Sequence, residues 1–586
     1  MHPVVRRLSC VFFALALAAG LRAQSAPAPS AQQNPNWWKN AVIYEIYPRS
    51  FQDSNGDGIG DLNGITSRLD YLQRLGINAI WLTPIYPSPQ VDFGYDISDY
   101  DAIDPRYGTL ADFDRLVAAA RKRNIGIIMD LVLNHTSDQH PWFKESESSR
   151  TNPKADWYMW RDAKYVNGHR EPPNNWLSVF GRSAWQWDPA RRQYYYHRFY
   201  IQQPDLNWNN PQVRKAMYDV ERFWIRHGVA GFRLDAITAL FEDPQDRDEP
   251  YILGPGGKPL IDAWGDKEVE STLTDNLPEV HDVLRQLRQV ADETTSRKVI
   301  LIGETYLDSV HDLRRMYGEH DDELELPMDM QVGFPSAGPK LDAGLLRQHI
   351  NEAETEINGD QPLFVFDNHD NHRWDRFVTD DHRIDVGRML AAVLFASRDT
   401  AMMYYGDEIG MVTTVPTRKE DVRDPIGITG WPKEKGRDGE RTPMQWDSTL
   451  DAGFSTAAKT WLPIPPSYQT VNVAAQERDP DSILHWYQQL IALKKSDPAL
   501  HSGQEIMLDT TDNNVLSWLR QSPNGEAVVV ACNFTAQPRT VSLDLSAQGI
   551  HGHRVKTLMK SPGGSNPQSL DHIDLAPYGV YIGKVE

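Results

Sequence analysis

The chain has 586 residues and a net charge of −21, and its acidic residues are dispersed along the sequence. No basic segment is strong enough to bind nucleic acid, so this class of partner is excluded, and the dispersed acids indicate solubility. The length exceeds that of a single ordinary domain and suits a large barrel with insertions and an appended module.

The N-terminal residues predict an export signal. Two arginines precede an apolar stretch at 8–21, and the small residues around Ala23 resemble a cleavage site. The stretch is shorter than the roughly 20 residues that span a bilayer. We therefore expect residues 1–23 to be a cleaved signal peptide, with a retained membrane anchor as the alternative. Residues 24–36 then form a linker, and the mature protein is exported, periplasmic or secreted, without a membrane span.

After the linker, strand-like and helix-like segments alternate. Apolar runs at 41–47, 79–83 and 126–132 predict the first three strands. Helical spacing at 65–75 predicts the first helix, and a capping box that starts at Thr109 predicts the second. Such alternation indicates parallel strands joined by right-handed crossovers.

The alternation stops after the third strand. Residues 135–208 show no helical period and are rich in Trp, Tyr, Asn and Pro. Because a loop of this length is uncommon unless it is functional, we predict a small inserted domain beside the site. The alternation resumes with a helix at 211–227 and reaches an eighth strand at 401–405. Further helices are expected at 283–293, 386–397 and 483–494.

From residue 502 onward the pattern changes to short alternating strands with turns. This pattern predicts an all-β domain at 502–586 that packs against the barrel. The complete prediction is an α/β fold. It consists of a (β/α)8 TIM barrel at 37–501, an inserted domain at about 135–208 after the third strand, and a C-terminal antiparallel β-sandwich domain.

Three carboxylates follow buried strands at similar intervals: Asp235, Glu304 and Asp370. An acid at the C-terminal end of a barrel strand faces the mouth of the barrel, where barrel enzymes carry their chemistry. Because three converging acids repel one another, their convergence is costly unless the repulsion is used. We therefore predict a catalytic site, with a buried salt-bridge network as the alternative.

Six short motifs, each weak alone, occur in order along the chain and resemble one enzyme family. They are DLVLNH at 130–135, QPDLN at 203–207, GFRLD at 231–235, IGE at 302–304, NHD at 368–370 and RTPMQW at 441–446. With them, the chain resembles glycoside hydrolase family 13, the α-amylase family, and within it the α-glucosidase and oligo-1,6-glucosidase subgroup. The resemblance covers nearly the whole mature chain.

The resemblance implies a catalytic role for each of the three acids. Asp235 would be the nucleophile, and Glu304 the acid that later activates water. Asp370 would hold sugar hydroxyls and keep Glu304 protonated through like-charge repulsion. In a retaining glycosidase the nucleophile and the acid lie about 5–5.5 Å apart, and this separation is expected here.

Four more residues are expected to bind the sugar or support the acids. Arg233 lies two residues before Asp235 on the same strand face and would favour the ionised nucleophile. By resemblance, His135 and His369 donate hydrogen bonds to sugar hydroxyls, whereas a lone histidine is more often structural. Phe180 resembles an aromatic wall of the sugar pocket, with packing inside the inserted domain as the alternative.

One segment favours exo over endo action. By resemblance, Asp92 and Tyr95 meet the terminal glucose, and Arg441 matches the arginine that bridges to this aspartate. A charged pair on the far hydroxyls of the sugar closes the pocket and leaves room for one residue beyond the cleaved bond. An exo-acting α-glucosidase is therefore expected.

The linkage preference depends on fewer residues. Ala236 follows the predicted nucleophile, where the subgroup usually has Val in α-1,6-preferring enzymes and a smaller or polar residue in α-1,4-preferring ones. This favours α-1,4-linked, maltose-like substrates, although such an apolar difference is worth only about 1–3 kcal/mol. Asn371 and His372 depart from the subgroup's usual Gln-Pro, which leaves the aglycone side open.

The loop at 53–61 predicts a metal site. Its alternating oxygen-bearing residues resemble the first half of an EF-hand, but Gly64 stands where a Glu is needed, so it is not a true EF-hand. The family carries a structural calcium or magnesium ion here. A metal-free turn is the alternative, and no organic cofactor is expected. The predicted ligands are the side chains of Asp53, Asn55, Asp57 and Asp61 and the carbonyl of Ile59.

The expected substrate is thus a small oligosaccharide or disaccharide, and the sequence carries no signal for an oligomeric state. Two alternatives remain on the same scaffold: an α-1,6-preferring oligoglucosidase, and a transglucosidase or isomerase that forms trehalose or sucrose isomers. A non-catalytic relative is a third, but such proteins lose catalytic residues, and all three acids are present here.

Overall fold

The computed structural model describes residues 34–333, 340–357, 359–378, 381–508 and 511–586. The predicted signal peptide at 1–23 lies outside this part of the chain, as does most of the predicted linker. Within the described ranges, no helix combines the length and the apolar character needed to cross a membrane.

A curled parallel sheet forms the centre of the protein. Each strand pairs with its neighbour in the chain, and the first strand also pairs with the last, with Val42 opposite Ala401. The segment 362–365 completes the circle through hydrogen bonds, since the Asp329 amide donates to the Leu363 carbonyl at 2.8 Å. The predicted (β/α)8 barrel is therefore confirmed. The strands are Val42–Ile46, Ala79–Leu82, Gly126–Val132, Gly231–Asp235, Ile300–Gly303, Leu326–Pro327 and Ala401–Tyr404.

Helices cover the outside of the barrel, close to the positions that the sequence predicts. The predicted helix at 65–75 is instead two short helices that meet at Arg68. The barrel helices are Leu62–Ser67, Leu69–Leu75, Leu110–Arg121, Pro211–Arg226, Val280–Thr294, Val310–Arg315, Ala343–Glu356, Arg383–Ala396 and Ile483–Ser496. Shorter helices lie at Pro48–Phe51, Pro141–Ser148, Pro425–Gly430, Val473–Gln476 and Pro498–Ser502.

The barrel strands are buried on both faces, and their alternation separates two environments. On the first strand, Tyr44 packs in the large core cluster and Ile43 in the smaller one. Because successive side chains of a strand point to opposite faces, Glu45 lies on the face of Ile43. The same alternation on the fourth strand puts Arg233 and Asp235 on the face opposite Leu234, which belongs to the large cluster.

Two antiparallel regions complete the fold. The inserted region holds a three-stranded sheet and a hairpin, and the C-terminal region holds a five-stranded sheet and a two-stranded sheet. The inserted strands are Trp160–Arg161, Lys164–Val166, His169–Glu171, Trp185–Asp188 and Gln193–Tyr196. The C-terminal strands are Gln504–Leu508, Val515–Gln521, Ala527–Asn533, Arg539–Val541, Val555–Lys560, Ile573–Leu575 and Val580–Val585.

A second excursion, at 241–279, follows the fourth barrel strand and was not anticipated from the sequence. It is held by isolated antiparallel bridges rather than by strands, for example Tyr251 opposite Val269 and Leu253 opposite Pro259. Its start contacts the inserted region through an ion pair of Asp246 with Arg161, at 2.6 Å. Both excursions therefore lie at the same end of the barrel.

The capping box at Thr109 gives a stability prediction. The Thr109 hydroxyl accepts a hydrogen bond from the Asp112 amide at 3.2 Å, and the Thr109 amide donates to the Asp112 carboxylate at 2.8 Å. Loss of such an N-cap costs about 1 kcal/mol. We expect Thr109→Ala to lower the midpoint of thermal unfolding measurably, whereas Thr109→Ser keeps it. Equal midpoints for both variants would contradict this role of the cap.

Candidate active site

Arg233 is the centre of the site, and its side chain is fully buried inside the barrel. Its Nη1 atom lies 2.7 Å from Asp235 Oδ1 and 3.0 Å from Asp130 Oδ2. Its Nη2 atom forms an ion pair of 2.7 Å with Glu304 Oε1. One guanidinium therefore holds together the carboxylates of three neighbouring strands.

Three buried carboxylates outnumber the single positive charge between them. Burial raises the pKa of Asp235 well above its usual range; Arg233 opposes this shift, and the charge of Glu304 adds to it. Burial also raises the pKa of Asp130, again with Arg233 opposing. The predicted contact of Arg233 with Asp235 is present, but one guanidinium does not compensate three carboxylates. The cluster therefore binds a proton at a higher pH than a free carboxylate would.

Ala236 adopts a left-handed backbone conformation, with φ of 45° and ψ of 39°. This region is uncommon for a residue with a Cβ atom and least favourable for a β-branched one. The turn directs the Ala236 amide to Glu304, whose Oε2 atom accepts a hydrogen bond at 2.9 Å. The backbone after the predicted nucleophile thus fixes the orientation of the predicted acid.

Asp370 is held by three cationic side chains. Its Oδ1 atom lies 2.7 Å from both Arg437 and Arg441, and its Oδ2 atom lies 3.0 Å from His369 Nε2. Burial alone would raise the pKa of Asp370, but His369, Arg437 and Arg441 together lower it well below its usual range. Asp370 is therefore ionised.

The guanidinium beside Asp92 belongs to Arg437, so the prediction that Arg441 bridges to Asp92 is wrong. Arg437 Nη2 lies 2.7 Å from Asp92 Oδ1, while Nη1 reaches Asp370. Arg441 instead donates to the His369 carbonyl at 2.8 Å and to Asp370. Arg437 stands four residues before Arg441, in the loop at 412–441 that follows the last barrel strand. We call this segment the entrance loop. Its sequence has no helical or strand-like spacing from which the place of Arg437 could be predicted.

Gln203 also had no predicted role, although it lies in a family motif. Its Nε2 atom donates to Asp92 Oδ2 at 3.2 Å and lies 3.1 Å from His135 Nε2. Burial lowers the pKa of His135 to about 3, so the imidazole is neutral and its Nε2 atom accepts the hydrogen bond. Gln203 therefore links two of the predicted substrate-binding residues.

Phe180 closes one side of the pocket. Its ring stacks on Tyr200 with centroids 4.2 Å apart and tilts against Phe199 at 5.7 Å. The Arg437 guanidinium lies 5.4 Å from the centroid of the Phe180 ring, within the range of a cation–π contact. Phe180 thus packs inside the inserted region and also faces the pocket, so the two interpretations of this residue are not exclusive.

All three predicted acids line one narrow pocket with a volume of about 60 Å³. Arg233, His369 and Arg441 are not among the lining residues; they lie behind the pocket and hold residues that line it. The lining residues are Asp92, Tyr95, His135, Phe180, Phe199, Gln203, Asp235, Glu304, Asp370 and Arg437.

Asn371, one of the two residues that depart from the subgroup's usual sequence, makes a contact next to the pocket. Asn371 Nδ2 donates to the Tyr306 hydroxyl at 2.9 Å. Tyr306 follows Glu304 by two residues and is 51% exposed, whereas most aromatic residues of the barrel are buried. Its ring is therefore available to the part of a substrate that extends beyond the pocket.

The predicted metal loop folds around its own amides. Asp53 accepts hydrogen bonds from the amides of Asn55, Gly56 and Gly58. Asp61 accepts from Gly64 at 2.8 Å and so caps the following helix. Among the residues that the structure describes, no group of three or more His, Cys, Asp or Glu side chains is placed to hold a metal ion. The oxygen atoms suit a hard cation, but in this arrangement they are directed to the loop's amides.

A (β/α)8 barrel whose strand ends converge on a pocket of paired carboxylates and aromatic side chains is an arrangement suited to enzymes that cleave glycosidic bonds. The family described as "Alpha amylase, catalytic domain" matches residues 45–503. The chain belongs to this family, the α-amylase family or glycoside hydrolase family 13. It is an enzyme of the α-glucosidase type, as its relatives at about 40% identity indicate.

Two relatives illustrate the range of these similarities. A probable α-glucosidase of Rhizobium meliloti (strain 1021) is 42% identical over 564 residues, which cover 94% of this chain and 97% of that protein. A glucan 1,6-α-glucosidase of Streptococcus dysgalactiae subsp. equisimilis is 40% identical, with 87% of this chain and 93% of that protein covered. The second name specifies a 1,6 linkage, and the first specifies none.

Solved structures show the same spread of activities on one fold. An α-glucosyl transfer enzyme aligns with a TM-score of 0.83 and 38% identity over 94% of this chain and 99% of that chain. The trehalulose synthase of Pseudomonas mesoacidophila aligns with a TM-score of 0.82 and 35% identity, again over 94% of this chain and 99% of the other.

The ion pairs of Arg437 with Asp92, Asp370 and Asp424 give a prediction about the entrance loop. Because this side chain joins residues 412–441 to Asp92 and Asp370, we expect Arg437→Gln to speed amide hydrogen exchange in the loop, as measured by mass spectrometry. Arg423→Gln is the matched control, since Arg423 lies on the same loop and its side chain donates to the nearby carbonyls of Glu420 and Val422. Equal exchange in both variants would show that Arg437 does not anchor the loop.

Proposed function

We propose that the protein is an exo-acting, retaining α-glucosidase that releases α-glucose from the non-reducing end of short α-glucosides. The single observation that carries this proposal is the position of Asp92 and Arg437. Their ion pair of 2.7 Å lines the same narrow pocket as the three acids. A pocket blocked by a charged pair accepts a chain end and excludes a chain that continues in both directions.

The two carboxylates around Arg233 are suited to double displacement. In the first step, an Asp235 oxygen forms a bond to the anomeric carbon as the glycosidic bond breaks, and Glu304 gives its proton to the departing oxygen. In the second step, Glu304 takes a proton from water, the water oxygen bonds to the anomeric carbon, and Asp235 leaves. The configuration at the anomeric carbon is inverted twice and so retained.

The charges of the site fit this division of work. Arg233 contacts both carboxylates, and its positive charge opposes the rise in the pKa of Asp235 that burial causes, which favours the ionised nucleophile. Ionised Asp370 supplies acceptors, and Arg437 supplies donors, for the hydroxyls of one sugar ring. The aromatic ring of Phe180 offers an apolar face to the same sugar.

We assign the linkage preference to α-1,4 from the residue that follows the nucleophile. The side chain after the nucleophile is the single methyl of Ala236, which leaves more room on the aglycone side than a branched residue would. Because Ala236 adopts a left-handed conformation, a β-branched residue would also be strained there. The relatives include both α-glucosidases and 1,6-linkage enzymes, so the assignment comes from Ala236 and not from the relatives.

A second candidate function is glucosyl transfer or isomerisation with the same three acids. It is supported by the similarity to an α-glucosyl transfer enzyme and to trehalulose synthases. Here a sugar hydroxyl, and not water, takes up the glucosyl group in the second step. The exposed Tyr306 ring, fixed by Asn371, is a surface on which such an acceptor could stack.

Product analysis separates these functions. The purified protein is incubated with maltose, isomaltose and sucrose in parallel, and both glucose and new disaccharides are quantified. Glucose mainly from maltose is expected. Preferential cleavage of isomaltose would overturn the linkage assignment, and new disaccharides in excess of glucose would favour the transferase.

Asp235→Asn should lower every activity by several orders of magnitude while the circular dichroism spectrum stays unchanged. Cleavage by this variant would overturn the assignment of Asp235 as the nucleophile.

We also propose that the protein is exported, on the strength of residues 1–23, and that the loop at 53–61 binds a structural calcium or magnesium ion. Ion binding would require the loop carboxylates to give up some of the hydrogen bonds that they accept from the loop's amides. Since a ligand bound only by the folded state raises stability, EDTA should lower the thermal midpoint, and added Ca²⁺ or Mg²⁺ should restore it. Asp57→Ala should abolish this response. Elemental analysis that finds neither ion, with no effect of EDTA, would reject the site.

A further inference from the structure

Glu45 is a buried carboxylate beneath the pocket that no part of the proposed chemistry uses. It lies on the first barrel strand, is 1% exposed and does not line the pocket. Its Oε1 atom lies 2.6 Å from His369 Nδ1 and accepts from the His369 amide at 3.3 Å. Its Oε2 atom is buried and has no hydrogen-bond partner among the residues that the structure describes.

The other nitrogen of the same ring faces the pocket. His369 Nε2 lies 3.0 Å from Asp370 Oδ2 and 2.7 Å from the Tyr95 hydroxyl. The Tyr95 hydroxyl in turn donates to Asp130 Oδ2 at 3.0 Å, so it can accept from His369. Glu45, the imidazole and Asp370 therefore form a continuous chain from the inside of the barrel to the pocket.

Aromatic rings confine this imidazole on three sides. Tyr95 stacks on it with centroids 5.5 Å apart and an interplanar angle of 4°, and Tyr47 stacks at 5.9 Å. Trp81 meets it edge-on at 5.8 Å. Because the ring cannot turn freely, the identity and charge of its two hydrogen-bond partners determine its protonation.

Charged and titratable groups face His369 from several strands. Burial lowers the pKa of His369, but Asp370 and Glu45 raise it by more, to about 9. At neutral pH the ring is therefore an imidazolium that donates from both nitrogens. The groups around it are Glu45, Tyr47, Tyr95, Asp130, Arg233, Asp370, Arg437 and Arg441.

We propose that Glu45 is a positioning residue: it holds His369 as a doubly donating imidazolium, which in turn orients the ionised Asp370 towards the sugar. This inference rests on the proposed function, because Asp370 is assigned to the sugar there. Glu45 itself would touch neither substrate nor reacting atoms. Its negative charge, and not only its hydrogen bond, is the property that matters.

Glu45→Gln keeps the shape of the side chain and a hydrogen-bond acceptor but removes the charge. A neighbouring opposite charge shifts a pKa by about 1–3 units, so the pKa of His369 should fall by about one unit or more. In the variant the ring then loses its second proton at a lower pH. Activity should be close to the native level near pH 6 and about tenfold lower near pH 9, relative to the native enzyme.

The test compares the pH dependence of kcat/KM for glucose release from maltose in three proteins. Glu45→Gln should move the alkaline limb to lower pH. Glu408→Gln is the matched control, since Glu408 is also buried beside the first strand but bonds Tyr44 at 2.8 Å and Tyr71 at 2.7 Å, away from His369. It should leave the limb unchanged. Identical limbs for the native protein and Glu45→Gln would overturn the proposal.

Two further measurements keep the test decisive. If Glu45→Gln does not fold, Glu45→Asp and Glu45→Leu are compared, and a limb that differs only in the uncharged variant supports the proposal. If the native protein releases no glucose from any substrate, the proposed function has failed. The His369 ring is then titrated by NMR in protein labelled with nitrogen-15 histidine. A pKa that falls in Glu45→Gln supports the role of Glu45, and an unchanged pKa rejects it.

Discussion

The site depends on one interaction: the guanidinium of Arg233 between the carboxylates of Asp130, Asp235 and Glu304. Three carboxylates buried together without this cation would repel one another and lose their hydration, which costs several kcal/mol for each ion. With it, Asp235 and Glu304 are held on different nitrogens of one planar group. The remaining imbalance of charge is chemically useful, because it lets one carboxyl keep a proton that a free acid would lose.

A second cationic group repeats this principle at the far end of the pocket. Arg437 joins Asp92, Asp370 and Asp424 through distances of 2.7, 2.7 and 2.9 Å. Arg233 lies on a barrel strand, whereas Arg437 lies in the entrance loop. In the proposed function, the chemistry at the anomeric carbon would therefore depend on the barrel, and the limit on the length of the substrate on a loop.

The sequence predicted the barrel and its acids because both depend on local patterns. Apolar runs identify buried strands, and Asp235 and Glu304 stand where such runs end. Arg437 could not be assigned in this way, because its position depends on ion pairs with residues more than sixty positions away. The excursion at 241–279 was missed for a related reason: isolated bridges hold it, and such bridges leave no periodic signature. The loop at 53–61 is the opposite case. Its sequence pattern predicts a metal site, but in the structure its carboxylate oxygen atoms accept hydrogen bonds from neighbouring amides.

The closure of the barrel joins the beginning of the protein to residues far along the chain. Val42 pairs with Ala401, so one edge of the first strand stays unpaired until the chain has been synthesised as far as the last barrel strand. Pairings between such distant residues form slowly because a long loop must close first. During synthesis the nascent chain therefore remains incompletely folded for most of its length. Such a delay would suit the export that we propose from residues 1–23, because an unclosed barrel can still be threaded through a membrane channel.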